Sequence, residues 1–336
     1  MNLYHLKQPL IFASLLLVMA CFFSACSKRS PYPTSTKYND SSFTGVDTTG
    51  GLDTIASFNA PTGIAVDAAG NIYVADYGNN QIRKITPDGI VTTIGGSGNQ
   101  GSINGPGNLA TFNGPTSVTV DAQGNVYVAD SNNDQIRKIS ATDGTVSTFA
   151  GSDSTGLKDG VDTAAYFFSP NGVAADAQGN VFVADAGNNV IRKVTPAGLT
   201  TTIAGNINPG NANGPALSAA TFNNPAGLAV DASGNIYVAD MLNNLIRKLS
   251  NGTVSTLAGH DTAATMNGPD TLAAFYFPNS VAVDKSGNVY VTEYVTDLIR
   301  KITPEGVVST FAGNGMSGQA DSTGTAASFN GPSGGS

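Results

Sequence analysis

The chain has 336 residues, 40 of them Gly and 12% charged, with a mean hydropathy of −0.02 and 16 Lys and Arg against 24 Asp and Glu. That balance of apolar content and low charge excludes a disordered chain and points to many short strands and turns. From Pro61 onward 12 bases face 21 acids, so the surface repels phosphate backbones and nucleic acid is not an expected partner.

Residues 1–25 read as an export signal: Lys7 precedes the apolar run PLIFASLLLVMACFF, which is too short to span a bilayer comfortably. The run ends in FSACSKRS, where Ser24 and Ala25 precede Cys26 and the chain turns polar at once. This ending resembles the lipobox of bacterial lipoproteins, which implies cleavage before Cys26 and acylation of that cysteine. Cys21, in VMAC, is the competing site, but the Phe22-Phe23 that follows it continues the apolar core. Residues 26–56, rich in Ser, Thr, Pro, Gly and Asp, read as the acylated N-terminus and a flexible tether. Cys21 and Cys26 are the only cysteines, so the remainder of the chain has neither disulfide nor thiolate ligand; it also lacks Trp and holds one histidine, His260.

Residues 57–336 are dominated by self-similarity. The line that begins at Phe58 recurs at Phe112, and again from Phe168, Phe222 and Phe277. The aligned prolines are Pro61, Pro115, Pro170, Pro225, Pro278 and Pro332. Within the first unit, GIAVD (63–67), NIYVAD (71–76), QIRKIT (81–86) and GIVTTIG (89–95) are short, β-branched and partly alternating. We label them strands a, b, c and d. Turn-forming AAG, YGNN and PDG separate them. Four antiparallel strands per unit at this period predict an all-β propeller, and no stretch has the 3.6-residue period of a helical solenoid. Five blades are complete. SFNGPS (328–333) opens a sixth, and both a five-blade ring and a six-bladed ring cut short fit the spacing, six being favoured for the complete gene.

The recurring Pro-x-Gly-[Ile/Val]-Ala-Val-Asp, Gly-Asn-[Ile/Val]-Tyr-Val-Ala-Asp and Asn-x-Ile-Arg-Lys resemble the NHL repeat. The resemblance implies a propeller, commonly six-bladed, but no single activity, since such folds carry both binding scaffolds and enzymes.

Strand parity places the a–b and c–d turns on one face, and the b–c loop with the long d–a connection on the other. The second face, with the longer and more variable loops, is the expected ligand face. The acids that close strand b (Asp76, Asp130, Asp185, Asp240, Glu293) fall one diagonal from the arginines of strand c (Arg83, Arg137, Arg192, Arg247, Arg300), and recurrence in every blade marks them as architectural pairs. Asp67, Asp121, Asp176, Asp231 and Asp284 read as turn residues; a calcium site is the sharper alternative, but the dense alternating acids of calcium loops are missing. The residues after the aligned prolines, Thr62, Thr116, Asn171, Ala226, Asn279 and, if the sixth unit takes its place, Ser333, are expected to ring the channel mouth, with neither acid nor histidine among them. Blade five diverges: Glu293, Tyr294 and Asp297, with Asp270 of its incoming loop, form the candidate ligand cluster together with Thr62, Thr116, Asn171 and Asn279. His260 reads as a solvated loop residue, unable to build a multi-histidine site.

Two functions follow. The first is a non-catalytic scaffold of the cell envelope, exported, held on the membrane only through its lipid, and presenting the loop face to a protein or glycan. It needs no cofactor, although a divalent cation such as calcium is compatible with it. The alternative is a metal-assisted lactonase or lyase using Glu293 and Asp270.

Overall fold

In a computed structural model of the chain, residues 44–45 and 54–334 are described. The signal segment, Cys26 and most of the proposed tether lie outside them. The described residues form five antiparallel sheets arranged as the blades of a propeller. In the first blade strands a to d are Pro61–Val66, Ile72–Asp76, Gln81–Ile85 and Val91–Gly95. Strand a is innermost in each blade and meets strand a of the next. Among the described residues no helix is long and apolar enough to cross a membrane.

The alternation of each strand divides its side chains between two blade faces. Ala65, Tyr73, Ala75 and Ile82 leave blade one on one side and pack on Val118, Val126, Val128, Ile139 and Val146 of blade two, with Ala110 and Phe112 of the connection between them. The same composition recurs between later blades. The aromatic that recurs in these joints is Phe112, Phe167, Phe222 and Phe275, all fully buried. The sequence frame placed on Phe168 and Phe277 is therefore one and two residues late: Phe167 fills the joint and Phe168 is 44% exposed.

The d–a connection does not arch over the loop face along its whole length. It adds a short fifth strand to the outer edge of the blade it enters. Gly105–Pro106 pairs with Thr145 and Val146, at the start of strand d of blade two, and Gly160–Val161, Gly214–Pro215 and Gly268–Pro269 repeat this. In three of the four, Pro occupies the exposed edge, where it offers no donor to a further strand. In blade one Thr44–Gly45 takes that outer place, with a parallel bridge from Gly45 to Val91.

The opening of the sixth unit sits where a sixth blade begins. Asn279 of blade five donates from Nδ2 to the Ser333 carbonyl at 2.8 Å. A Cβ on Gly334 would lie 2.2 Å from the Thr62 carbonyl oxygen and 3.5 Å from the Gly63 Cα. Residues 331–334 thus bridge blade five to blade one, and six inner segments surround one axis.

Candidate functional site

Each strand-b acid is paired with its strand-c arginine. Asp76 stands opposite Gln81, and the same offset holds in the other blades. The pairs Arg137–Asp130, Arg192–Asp185 and Arg247–Asp240 close at 2.9, 2.8 and 2.7 Å with both side chains fully buried, Arg83–Asp76 closes at 3.1 Å, and Arg300 pairs with Glu293. The guanidinium also stacks on the joint phenylalanine, 5.3 Å from the ring centre for Arg137 and Phe112. Its second nitrogen holds the incoming connection: Arg137 donates to Asn104 Oδ1 at 2.6 Å, Arg192 to Asp159, Arg247 to Asn213 and Arg300 to Asn267. These four partners went unnoticed in the sequence, where the available signal was an Asn or Asp before Gly, 33 or 34 residues ahead of each arginine. The acid's other oxygen accepts a backbone N–H ahead of strand a, as in Asn113 N–H to Asp130 at 2.7 Å. Burial pushes the carboxyls of Asp130 and Asp185 up to about 6, and those of Asp76, Asp240 and Glu293 in the same direction, against the lowering by the donors around them.

The divergent residues of blade five are engaged in the joint with residues 328–334. Asp297 has φ +56° and accepts the Gly331 N–H at 2.6 Å. Asn80, Asp134, Asn189 and Asn244 do the same for Gly114, Ser169, Asn224 and Phe277. Tyr294 lies over Gly331, where a Cβ would come within 2.7 Å of its ring, and Tyr77 lies over Gly114 in the same way. Glu293 has both oxygens occupied, by Arg300, by the Tyr276 N–H and by Thr296 Oγ1. Asp270 stands apart from them. Its N–H meets the Gly306 carbonyl at 2.9 Å in the c–d turn, at the other end of strand c (Leu298–Ile302) from Leu298, which Glu293 faces. Four residues of extended strand separate the two ends by roughly 13 Å. Glu293 and Asp270 therefore do not converge, because the connection carries Asp270 down the outer edge of the blade.

Asp67 caps its own turn: the Ala69 and Asn71 N–H groups, the Asn71 amide and the Tyr73 hydroxyl all donate to it. Burial raises the carboxyls of Asp67, Asp231 and Asp284, but these donors outweigh it and hold them below the usual value. His260 is exposed; its Nδ1 accepts the Thr262 N–H at 3.2 Å and lies 3.0 Å from an Asp261 carboxylate oxygen. Among the described residues, no group of three or more His, Cys, Asp or Glu is placed to hold a metal.

The channel forms a further concave feature. Strand a bulges between Pro61 and Ile64, and its counterparts bulge likewise, which turns the residue after the proline out of the ladder. Thr62, Thr116, Asn171, Asn279 and Ser333 line a cavity of about 140 Å³ together with Ser117, Ser280 and inner-strand glycines; Ala226 is not part of the wall. No charged residue lines it. Thr62 donates to the Pro115 carbonyl and Thr116 to the Asn171 carbonyl, each tying its blade to the next.

A sequence pattern described as the NHL repeat matches residues 58–85, 112–139 and 222–249, each running from the joint phenylalanine to the end of strand c. The chain carries NHL repeats. The NHL repeat-containing protein 2 of Bos taurus is 36% identical over 134 residues, 37% of this chain and 18% of that protein, so the chain spans under a fifth of that relative. Among solved structures, an auxiliary nutrient binding protein from Bacteroides thetaiotaomicron aligns with a TM-score of 0.61 at 14% identity, over 84% of this chain and 65% of that one. A gluconolactonase from Xanthomonas campestris aligns at 0.53 and 13% identity, over 81% and 79%. At such identities these likenesses establish the propeller fold alone.

Proposed function

We propose that this NHL protein is a non-catalytic binding scaffold of the cell envelope, exported and anchored through an acylated Cys26, with the b–c-loop face turned to its ligand. The observation that carries the reading is the neutrality of the channel. The strand-b acids are buried against arginines, and the wall is made of hydroxyls, two amides, backbone and Ile64, with no charged side chain. A general acid or base has to reach the proton it moves, and none of these acids reaches the cavity. The cavity of about 140 Å³ is also below the roughly 300–1,000 Å³ of typical small-molecule sites. The fold shared with a nutrient binding protein is compatible with this role.

The test is hydrolysis of a lactone panel by the purified full chain in detergent, with calcium, magnesium, manganese or zinc. No turnover is expected. Metal-dependent turnover that is lost in Asn171→Ala would replace the scaffold by the lactonase reading. The anchor is checked separately by palmitate labelling in a bacterial host, which Cys26→Ser should abolish and Cys21→Ser should leave intact.

A further inference from the structure

The five blades are alike in their joints and differ at the mouth, so selectivity has to come from the positions they do not share. Two of these vary together. In blades one, two and four the residue two before the aligned proline is Asn59, Asn113 or Asn223, and the residue one after it is Thr62, Thr116 or Ala226. In blades three and five the same places hold Phe168 with Asn171 and Tyr276 with Asn279. Pro170 pairs with Asp185 and Pro278 with Glu293, so both aromatic–amide pairs stand at the b–c-loop end of strand a, beside the mouth. Phe168 is 44% exposed, although its neighbour Phe167 already fills the joint. The Tyr276 ring packs against Phe277 with centres 5.0 Å apart and planes tilted by 43°, and remains half-buried. The Asn171 amide lines the cavity with no protein partner among the described residues, and Asn279 uses only its Nδ2.

We infer that the mouth between blades three and five binds a neutral oligosaccharide, with Phe168 and Tyr276 as stacking surfaces and Asn171 and Asn279 reading hydroxyls. This rests on the scaffold reading above and names its ligand. The chemistry follows from the wall. A charged ligand would enter a cavity with no counter-charge and lose its hydration uncompensated. A purely apolar ligand would strand the Asn171 amide. A sugar presents alternating C–H faces and hydroxyls, and so satisfies both aromatic ring and amide. The small recessed cavity takes the end of the chain, and the rest lies across the aromatic rim. A protein ligand needs about 800 Å² of surface on each partner, well beyond the recessed cavity and the rings of Phe168 and Tyr276.

The chain has no Trp, so its intrinsic fluorescence comes from its 11 tyrosines, and the difference between the parent chain and Tyr276→Phe isolates the part that Tyr276 contributes to the titration signal. The full chain in detergent is titrated with the hexasaccharides of maltose, cellobiose, mannobiose and xylobiose, and with hexagalacturonate as a charged counterpart. At least one neutral hexasaccharide is expected to bind with a Kd below 1 mM. Phe168→Ala and Asn171→Ala should each weaken it at least tenfold, while Asn132→Ala, exposed on blade two of the same face, should change it less than twofold. Circular dichroism of each variant separates loss of binding from loss of fold. Preference for hexagalacturonate, absence of binding to all four neutral sugars, or binding untouched by Phe168→Ala overturns the inference. Lactone turnover would instead bring down the scaffold reading beneath it. A protein partner whose capture no hexasaccharide competes would leave the scaffold standing and remove the glycan.

Discussion

Asp297 accepts the Gly331 N–H at 2.6 Å, and through this contact blade five holds the segment that opens the sixth unit as every earlier blade holds its successor. The residue that does so always sits at the left-handed end of the b–c loop, where Asn and Asp are the non-glycine residues best tolerated. Gly331, at φ +62° and beneath the Tyr294 ring, has room for hydrogen only. Gly331→Ala should therefore destabilise the ring by about 1–2 kcal/mol through the positive φ and the ring clash together. Adding Tyr294→Ser should recover the clash but not the backbone part. A single mutant as stable as the parent by urea denaturation would mean that this joint adds nothing.

The neighbouring phenylalanines 167 and 168 make a controlled pair. Phe167→Ala empties a fully packed joint and should cost about 3–5 kcal/mol. Phe168→Ala removes an exposed ring and should stay within about 0.5 kcal/mol. Equal losses for the two would contradict the frame that puts Phe167 in the joint.

The buried ion pairs predict an asymmetry. Asp130→Ala leaves Arg137 as an unpaired buried cation and should cost about 3–5 kcal/mol. Asp130→Ala with Arg137→Met removes both charges, and should recover a large part of that loss, although the contacts of Arg137 with Asn104 and the Thr111 carbonyl go with it. A double mutant no more stable than the single would show that the arginine's grip on the incoming connection outweighs its pairing.

The same carboxyls set a dependence on pH. Asp130 and Asp185 are raised from an ordinary 3.8 to about 6. Between about pH 4 and 6 the folded state keeps protons that the unfolded chain has released, so their contribution to stability falls as pH rises through that window and is level above it. Asp67, Asp231 and Asp284 are shifted the other way, and their contribution is lost as pH falls below 3.8. Urea midpoints at constant ionic strength should be higher at pH 4.5 than at pH 7 or pH 3. A midpoint that climbs steadily from 4.5 to 7 would refute this sign.

Much of this architecture is readable in the chain. Alternation in strands b and c fixes which residues share a face, so Asp76 and Arg83 are paired by parity alone, and the proline spacing places Thr62 and its counterparts on the innermost strand. What parity cannot supply is the path of a connection without alternation. Asp270 reads as a neighbour of Glu293 because both belong to blade five, and only the pairing of Gly268–Pro269 with strand d carries it to the opposite end. The role of Asp297 was hidden for a related reason. A sequence read by its differences makes EYVTD an exception, whereas its backbone keeps the left-handed turn of the other blades and its aspartate oxygen does the work of their side chains.

The joints between blades span 33 to 35 residues each, from the b–c loop of one unit to the start of strand a in the next. No blade has to wait for a distant part of the chain before docking on its predecessor. Such a molecule can assemble in the order in which it is synthesised or threaded through a membrane, each unit templating the one that follows. Among the described residues, the meeting of Gly334 with Thr62 and Gly63 has to search across nearly the whole folded span, and circularisation of the fold is therefore the step on which late kinetic failures would concentrate.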